Sequence, residues 1–170
     1  MILAVLVVIS TNLGNVKVQL DEKKAPATVA NFLKYVKEKH YDGTVFHRVI
    51  KGFMIQGGGF DDKLHQKGAT YPPIQNESGN GLKNVPGAIA MARTNDPNSA
   101  TDQFFIDTHD NSFLDRPPGY AVFGKVVSGM DVVRKIEGVK TGSKPSSDGM
   151  PLSDVPMENV VIKTIRVASK

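Results

Sequence analysis

The chain is 170 residues long, with 21 lysines and arginines against 17 aspartates and glutamates, a formal charge of +4 and no cysteine. The missing thiols exclude disulfides, thiolate zinc sites and thiol catalysis, so a packed core must carry stability. The length fits one domain over residues 1–170. The basic excess is scattered, and the run at 34–39 is broken by Tyr35, Val36 and Glu38, which reads as a solvated helix face rather than a nucleic-acid footprint.

Residues 2–9 are apolar and rich in Val and Ile. No basic segment precedes them, no convincing small-residue cleavage site follows, and eight residues are too few to span a bilayer as a helix. They read as a buried first strand, and the chain as cytoplasmic, or periplasmic or secreted if a leader has been removed. A turn at 12–15, with Gly14 available for a positive φ, leads to a strand over 16–20. There Val16, Val18 and Leu20 alternate with Lys17 and Gln19. A helix follows, with Pro26 in its opening turn or Thr28 as a cap slightly later. Val29, Phe32, Leu33 and Val36 share one face, Asn31, Lys34, Lys37 and Glu38 occupy the other, and Gly43 ends the pattern.

Short strands are expected over 45–49 and 53–56, around Lys51-Gly52. Residues 57–83, rich in glycine and polar groups, form a long ordered surface loop that Tyr71, Ile74 and Leu82 pin down. A loop of this length commonly serves a binding site. Further strands fall at 88–92, 103–106 and 122–126. Residues 130–136 make two helical turns, begun near Ser128 and closed at Gly138. A polar connection over 140–154 leads to a last strand over 160–167. Many short strands with only two helices favour an antiparallel barrel or sandwich.

The stretch 46–59 carries the chemistry. It sets Arg48 and Gln56 among apolar side chains and ends in Gly57-Gly58-Gly59, with no serine, cysteine or aspartate to act as a nucleophile. That set suits binding and bending a small apolar group better than cutting a bond. Its downstream complement is Gln103-Phe104-Phe105-Ile106. The three glycines lack the Gly-Lys-Ser/Thr ending of a phosphate cradle and the spacing of a dinucleotide fingerprint, and they suit tight backbone geometry. His40, His47, His65 and His109 have no metal-ligand spacing, and His47 should face away from Arg48. Asp107-Thr108-His109-Asp110 has no poised nucleophile beside it and reads as a turn.

Several stretches together resemble the cyclophilin family of peptidyl-prolyl cis-trans isomerases, small bacterial members above all. They are Phe46-His47-Arg48-Val49-Ile50, Gly52-Phe53-Met54-Ile55-Gln56-Gly57-Gly58 and Gly87-Ala88-Ile89-Ala90-Met91-Ala92. Ser99-Ala100-Thr101-Asp102-Gln103-Phe104-Phe105-Ile106, Tyr120-Ala121-Val122-Phe123-Gly124-Lys125-Val126 and Gly129-Met130-Asp131-Val132-Val133 continue the likeness. The resemblance implies a closed eight-stranded antiparallel β-barrel capped by two α-helices, with a substrate groove on its outer surface. It implies a catalytic Arg48 assisted by Gln56, and a proline pocket of Phe53, Met54, Phe105 and Leu114 flanked by Ala92 and Gln103.

Three positions depart from frequent family residues. Phe113 stands where many relatives carry tryptophan, which implies isomerase activity with only weak cyclosporin binding. Tyr120 replaces a frequent histidine and still offers an aromatic wall. Arg93 replaces a common asparagine and adds positive charge beside the groove. The resemblance implies a cofactor-free, metal-free monomer acting on proline-containing peptides and folding proteins, without specific nucleic-acid or membrane partners. A binding module that has lost turnover would use the same groove, but the intact Arg48, Phe53, Met54 and Gln56 argue for catalysis.

Overall fold

A computed structural model describes residues 4–169 of the chain. Strand β1 (Val5–Thr11) turns through Asn12-Leu13 into β2 (Gly14–Leu20), followed by α1 (Pro26–Lys37). Short strands β3 (Thr44–Val45), β4 (Arg48–Ile50), β5 (Met54–Gly57), β6 (Ala88–Met91) and β7 (Phe104–Asp107) come next. Then come a 3-10 turn (Ser112–Asp115), β8 (Val122–Ser128) and α2 (Met130–Glu137). Strands β9 (Thr141–Pro145), β10 (Pro151–Pro156) and β11 (Val161–Ser169) complete the order. Ile2 and Leu3 of the expected first strand lie outside the described residues.

The expected closed eight-stranded barrel does not form. Nine strands make one open, curled antiparallel sheet in the order β3-β11-β1-β2-β8-β6-β7-β5-β4, capped by the two helices. Its ends, β3 and β4, are consecutive in the chain and share no ladder. The reason lies in where the amides at the seam go. Val45 donates its N–H to the Phe60 carbonyl and Phe46 donates to the Val160 carbonyl, so a loop stitches the gap that strand pairing would have closed. The expected strand over 45–49 is accordingly broken at Phe46-His47.

Strand alternation produces two apolar layers. Val49, Ile55, Ile89, Phe104, Ile106 and Phe123 point into the curl and join the main core with β1, β2, β11 and both helices. Their neighbours Met54, Ala88, Ala90, Phe105 and Val122 point outward into a second cluster. Phe32 of α1 centres the inner layer, edge-on to Phe104 at 5.7 Å and tilted against Phe123 at 5.2 Å.

Helix α1 sits rotated from the expected face. Asn31 and Tyr35 are buried, whereas Leu33 is only half-buried. Asn31 can face inward because its amide donates to the Thr101 carbonyl at 2.7 Å. Thr28 is no cap: its N–H and hydroxyl both donate to Glu77 Oε1 at 2.6 Å, tying the 57–83 loop to the helix start. The polar stretch 140–154, expected as a plain connection, contains most of the β9–β10 hairpin. Pro145 and Pro151 face each other at its inner end, and its lack of hydrophobic alternation hid it.

Candidate active site

Register brings the two halves of the sequence motif together. Arg48 on β4 lies opposite Gln56 on β5, and Gln56 lies opposite Phe105 on β7. All three side chains therefore emerge on the outer face of the sheet. Arg48 Nη1 donates a long bond, 3.4 Å, to Gln56 Oε1, and Gln56 Nε2 donates to Gln103 Oε1 at 3.0 Å. The amide of Gln56 thus faces the guanidinium with its oxygen and Gln103 with its nitrogen, which fixes its orientation. Gly59 makes room for this row, because a Cβ there would collide with the Gln103 side chain.

These groups open on a cavity of about 150 Å³ walled by Arg48, Phe53, Met54, Gln56, Ala92, Arg93, Phe105, Leu114 and Tyr120. That is room for one small ring, well below the roughly 300–1,000 Å³ typical of drug-sized ligands. A hollow of about 510 Å³ over Val5, Leu20, Lys24 and Lys125 is larger, but it brings together no comparable apolar seat and paired amides. Phe105 meets Tyr120 edge-on at 5.9 Å, and the Arg93 guanidinium lies 4.2 Å over the Tyr120 ring. Two expected residues fall outside this wall. Gln103 lines an adjoining cavity, and Phe113, 52% exposed, stacks on Phe53 at 5.8 Å as an outer rim.

The wall is braced from behind by residues the motifs did not reveal. Asn111 Nδ2 donates to the Phe53 carbonyl at 2.9 Å and to Asp107 Oδ1 at 2.6 Å, and Thr108 also donates to the Phe53 carbonyl. Glu137 of α2 accepts the Gly52 N–H at 2.8 Å, and Arg134 donates to the Thr108 carbonyl. Apart from the Asn111–Asp107 bond, which spans four residues, these contacts join distant segments, and no local signal announces them.

Burial sets the charge state behind the groove. Asp107 is fully buried opposite Met54; desolvation pushes its carboxyl up to about 7, against the lowering effect of the Asn111 bond. His47, as expected, turns inward while Arg48 faces out. It packs on Phe60 at 4.5 Å, and burial, then the Arg48 charge, holds it down at about 4. It is therefore neutral at pH 7 and does not add charge beside Arg48.

The sequence profile of the family described as "Cyclophilin type peptidyl-prolyl cis-trans isomerase/CLD" matches residues 6–167. Peptidyl-prolyl cis-trans isomerase cyp18 of Streptomyces antibioticus is 52% identical over 165 residues, covering 94% of this chain and 96% of that one. Peptidyl-prolyl cis-trans isomerase B of Escherichia coli is 52% identical over 169 residues, covering 96% and 99%. A crystal structure of a Cryptosporidium parvum cyclophilin type peptidyl-prolyl cis-trans isomerase, in the presence of the dipeptide Ala-Pro, superposes with a TM-score of 0.79 at 29% identity. It covers 97% of this chain and 99% of that one. An outward apolar seat beside a guanidinium, on a chain half-identical to bacterial isomerases along nearly its whole length, makes this protein a member of the cyclophilin-type peptidyl-prolyl cis-trans isomerase family.

Proposed function

We propose that the enzyme turns X–Pro bonds by seating the pyrrolidine ring on Phe53, Met54, Phe105 and Leu114 while Arg48 donates to the imide nitrogen as it loses planarity. Rotation about the bond must break carbon–nitrogen resonance, at a barrier of about 20 kcal/mol and an uncatalysed time of roughly 10–100 s. In the twisted state the nitrogen lone pair is no longer delocalised and becomes a better acceptor. A donor aimed there stabilises that state more than the planar one, which is the differential binding a catalyst needs. Arg48 keeps its proton, so its part is electrostatic, and no covalent intermediate is involved. Gln56 holds the guanidinium and contacts the peptide backbone. Ala92 and Gln103 border the path of the chain, with Arg93, Tyr120 and Phe113 on the rim.

The observation that carries this reading is the shared cavity: Arg48 and the four apolar side chains wall the same 150 Å³ space. Arg48→Ala should lower kcat/KM for an X–Pro peptide at least tenfold, about 1.4 kcal/mol of transition-state stabilisation, without changing the melting temperature. Near-wild-type turnover in the folded variant would remove Arg48 from the mechanism.

Cyclosporin should bind weakly, since Phe113 offers no indole N–H at the rim, and Phe113→Trp should tighten it. A nanomolar inhibition constant for the unaltered protein would contradict this.

A further inference from the structure

A second cavity of about 290 Å³ adjoins the proline pocket and shares Gln56, Ala92 and Arg93 with it. A peptide whose proline fills the first therefore has the second within reach of a neighbouring residue. The charges on this second wall are unbalanced. Its cations are Arg93 and Lys67, and its one acid is Asp102.

Asp102 offers the cavity almost no surface for a ligand to touch. It is 4% exposed, and its Oδ2 lies 2.8 Å from His40 Nε2 in a buried pair. Asp96, on the neighbouring turn, is outside the lining and accepts the Asn98 N–H. Lys67 is half-buried and anchored by one bond, from Nζ to the His40 carbonyl at 2.5 Å, which leaves ammonium donors over.

Arg93 is held more firmly. Its Nε and Nη2 donate to the Gly119 carbonyl at 3.2 and 2.8 Å, its Nη1 donates to the Thr94 carbonyl, and its plane lies over Tyr120. Every one of these anchors is neutral, so the positive charge is positioned without being cancelled. Of its five N–H donors, two are left over for a ligand.

We infer that this second cavity selects substrates carrying an acidic side chain close to the proline, with Arg93 and Lys67 as the specificity-determining residues. The inference rests on the isomerase reading above and names the substrate class of that same groove. A carboxylate entering the cavity meets two cations that no exposed acid neutralises. A lysine in the same place is repelled, and a glutamine forms only the weaker neutral bonds.

The test is a set of short peptides, each with a single Ala-Pro bond. Glu, Gln or Lys is placed in turn one, two or three residues before the proline, or one or two after it. Isomerisation is followed by exchange NMR, which needs no coupling protease. At one position the Glu peptide should exceed the Gln peptide at least threefold in kcat/KM, with the Lys peptide lowest. Raising the salt concentration should shrink that ratio, and Arg93→Gln and Lys67→Gln should each lower it. Lys67 lies outside the proline pocket, so its variant reports on the second cavity even if loss of Arg93 disturbs the fold. Equal rates for Glu and Gln at every position, or a Glu advantage that survives both substitutions, would overturn the inference and leave the isomerase reading standing. Turnover of none of the peptides would remove both.

Discussion

His47 and Asp107, both buried close to the groove, pull stability in opposite directions as pH changes. His47 is held at about 4 against an ordinary 6.5, so its contribution is complete above pH 6.5 and is lost as pH falls toward 4. Asp107 is raised to about 7 from 3.8, so its contribution is complete below pH 3.8 and is lost as pH rises to about 7. The shifts correspond to at most about 3 and about 4 kcal/mol, and between pH 4 and 6.5 they offset each other. His47→Gln should therefore lose stability relative to wild type as pH climbs through that window. Asp107→Asn should gain stability steadily up to pH 7. Denaturant midpoints at pH 4.5, 5.5, 6.5 and 7.5 read this directly, and superimposable profiles for the three proteins would refute it. Asp107 Oδ2 and His47 Nδ1 have no hydrogen-bond partner among the described residues, which agrees with both groups being buried uncharged.

Among the elements, α1 shows how a loop completes a helix. Its N-cap residue, Ala25, has no capping side chain, and its first turn carries no acid. Glu77, reaching in from the long loop, supplies both functions: its carboxylate accepts the Ala27 and Thr28 N–H groups and the Thr28 hydroxyl. Charge-assisted bonds at a helix start are worth about 1–2 kcal/mol. Glu77→Ala should lower the melting temperature by roughly 2–8 °C for a chain of this size, and Glu77→Gln by less. Calorimetry decides it; an unchanged melting temperature for Glu77→Ala would mean the loop is held by Tyr71 and Ile74 packing alone. The same distance in sequence explains why Thr28 was open to misreading as the cap. A cap donated from residue 77 leaves no trace in residues 24–28.

At the scale of the whole molecule, the open sheet and the outward pocket have one origin. Short strands of three or four residues curl tightly, and in β4–β8 both faces of the sheet are apolar. One face packs inward around Phe32; the other is left as a groove, roofed only at its rim by Phe113 and Tyr120. Alternation along 48–50, 54–57 and 104–107 was legible because it has a period of two within each strand. The positions of the helices were legible for a similar reason, since Pro26 and Gly138 punctuate them locally. Three features were not legible: the unclosed seam at Phe46-His47, the rotation of α1 that buries Asn31, and the β9–β10 hairpin. The first two depend on hydrogen bonds between residues that local patterning cannot relate, Phe46 to Val160 and Asn31 to Thr101, and the hairpin lacks the hydrophobic alternation that marks a strand.

Residue types and their short-range spacing, by themselves, established an antiparallel β protein with two helices, the absence of thiol chemistry, and an arginine set among apolar side chains with no nucleophile. Only the tertiary structure decided that the sheet stays open, that Arg48 shares one cavity with Phe105, and that Lys67 joins Arg93 in a second. Period and composition are local properties of a chain, whereas a cavity and its net charge exist only once distant segments meet.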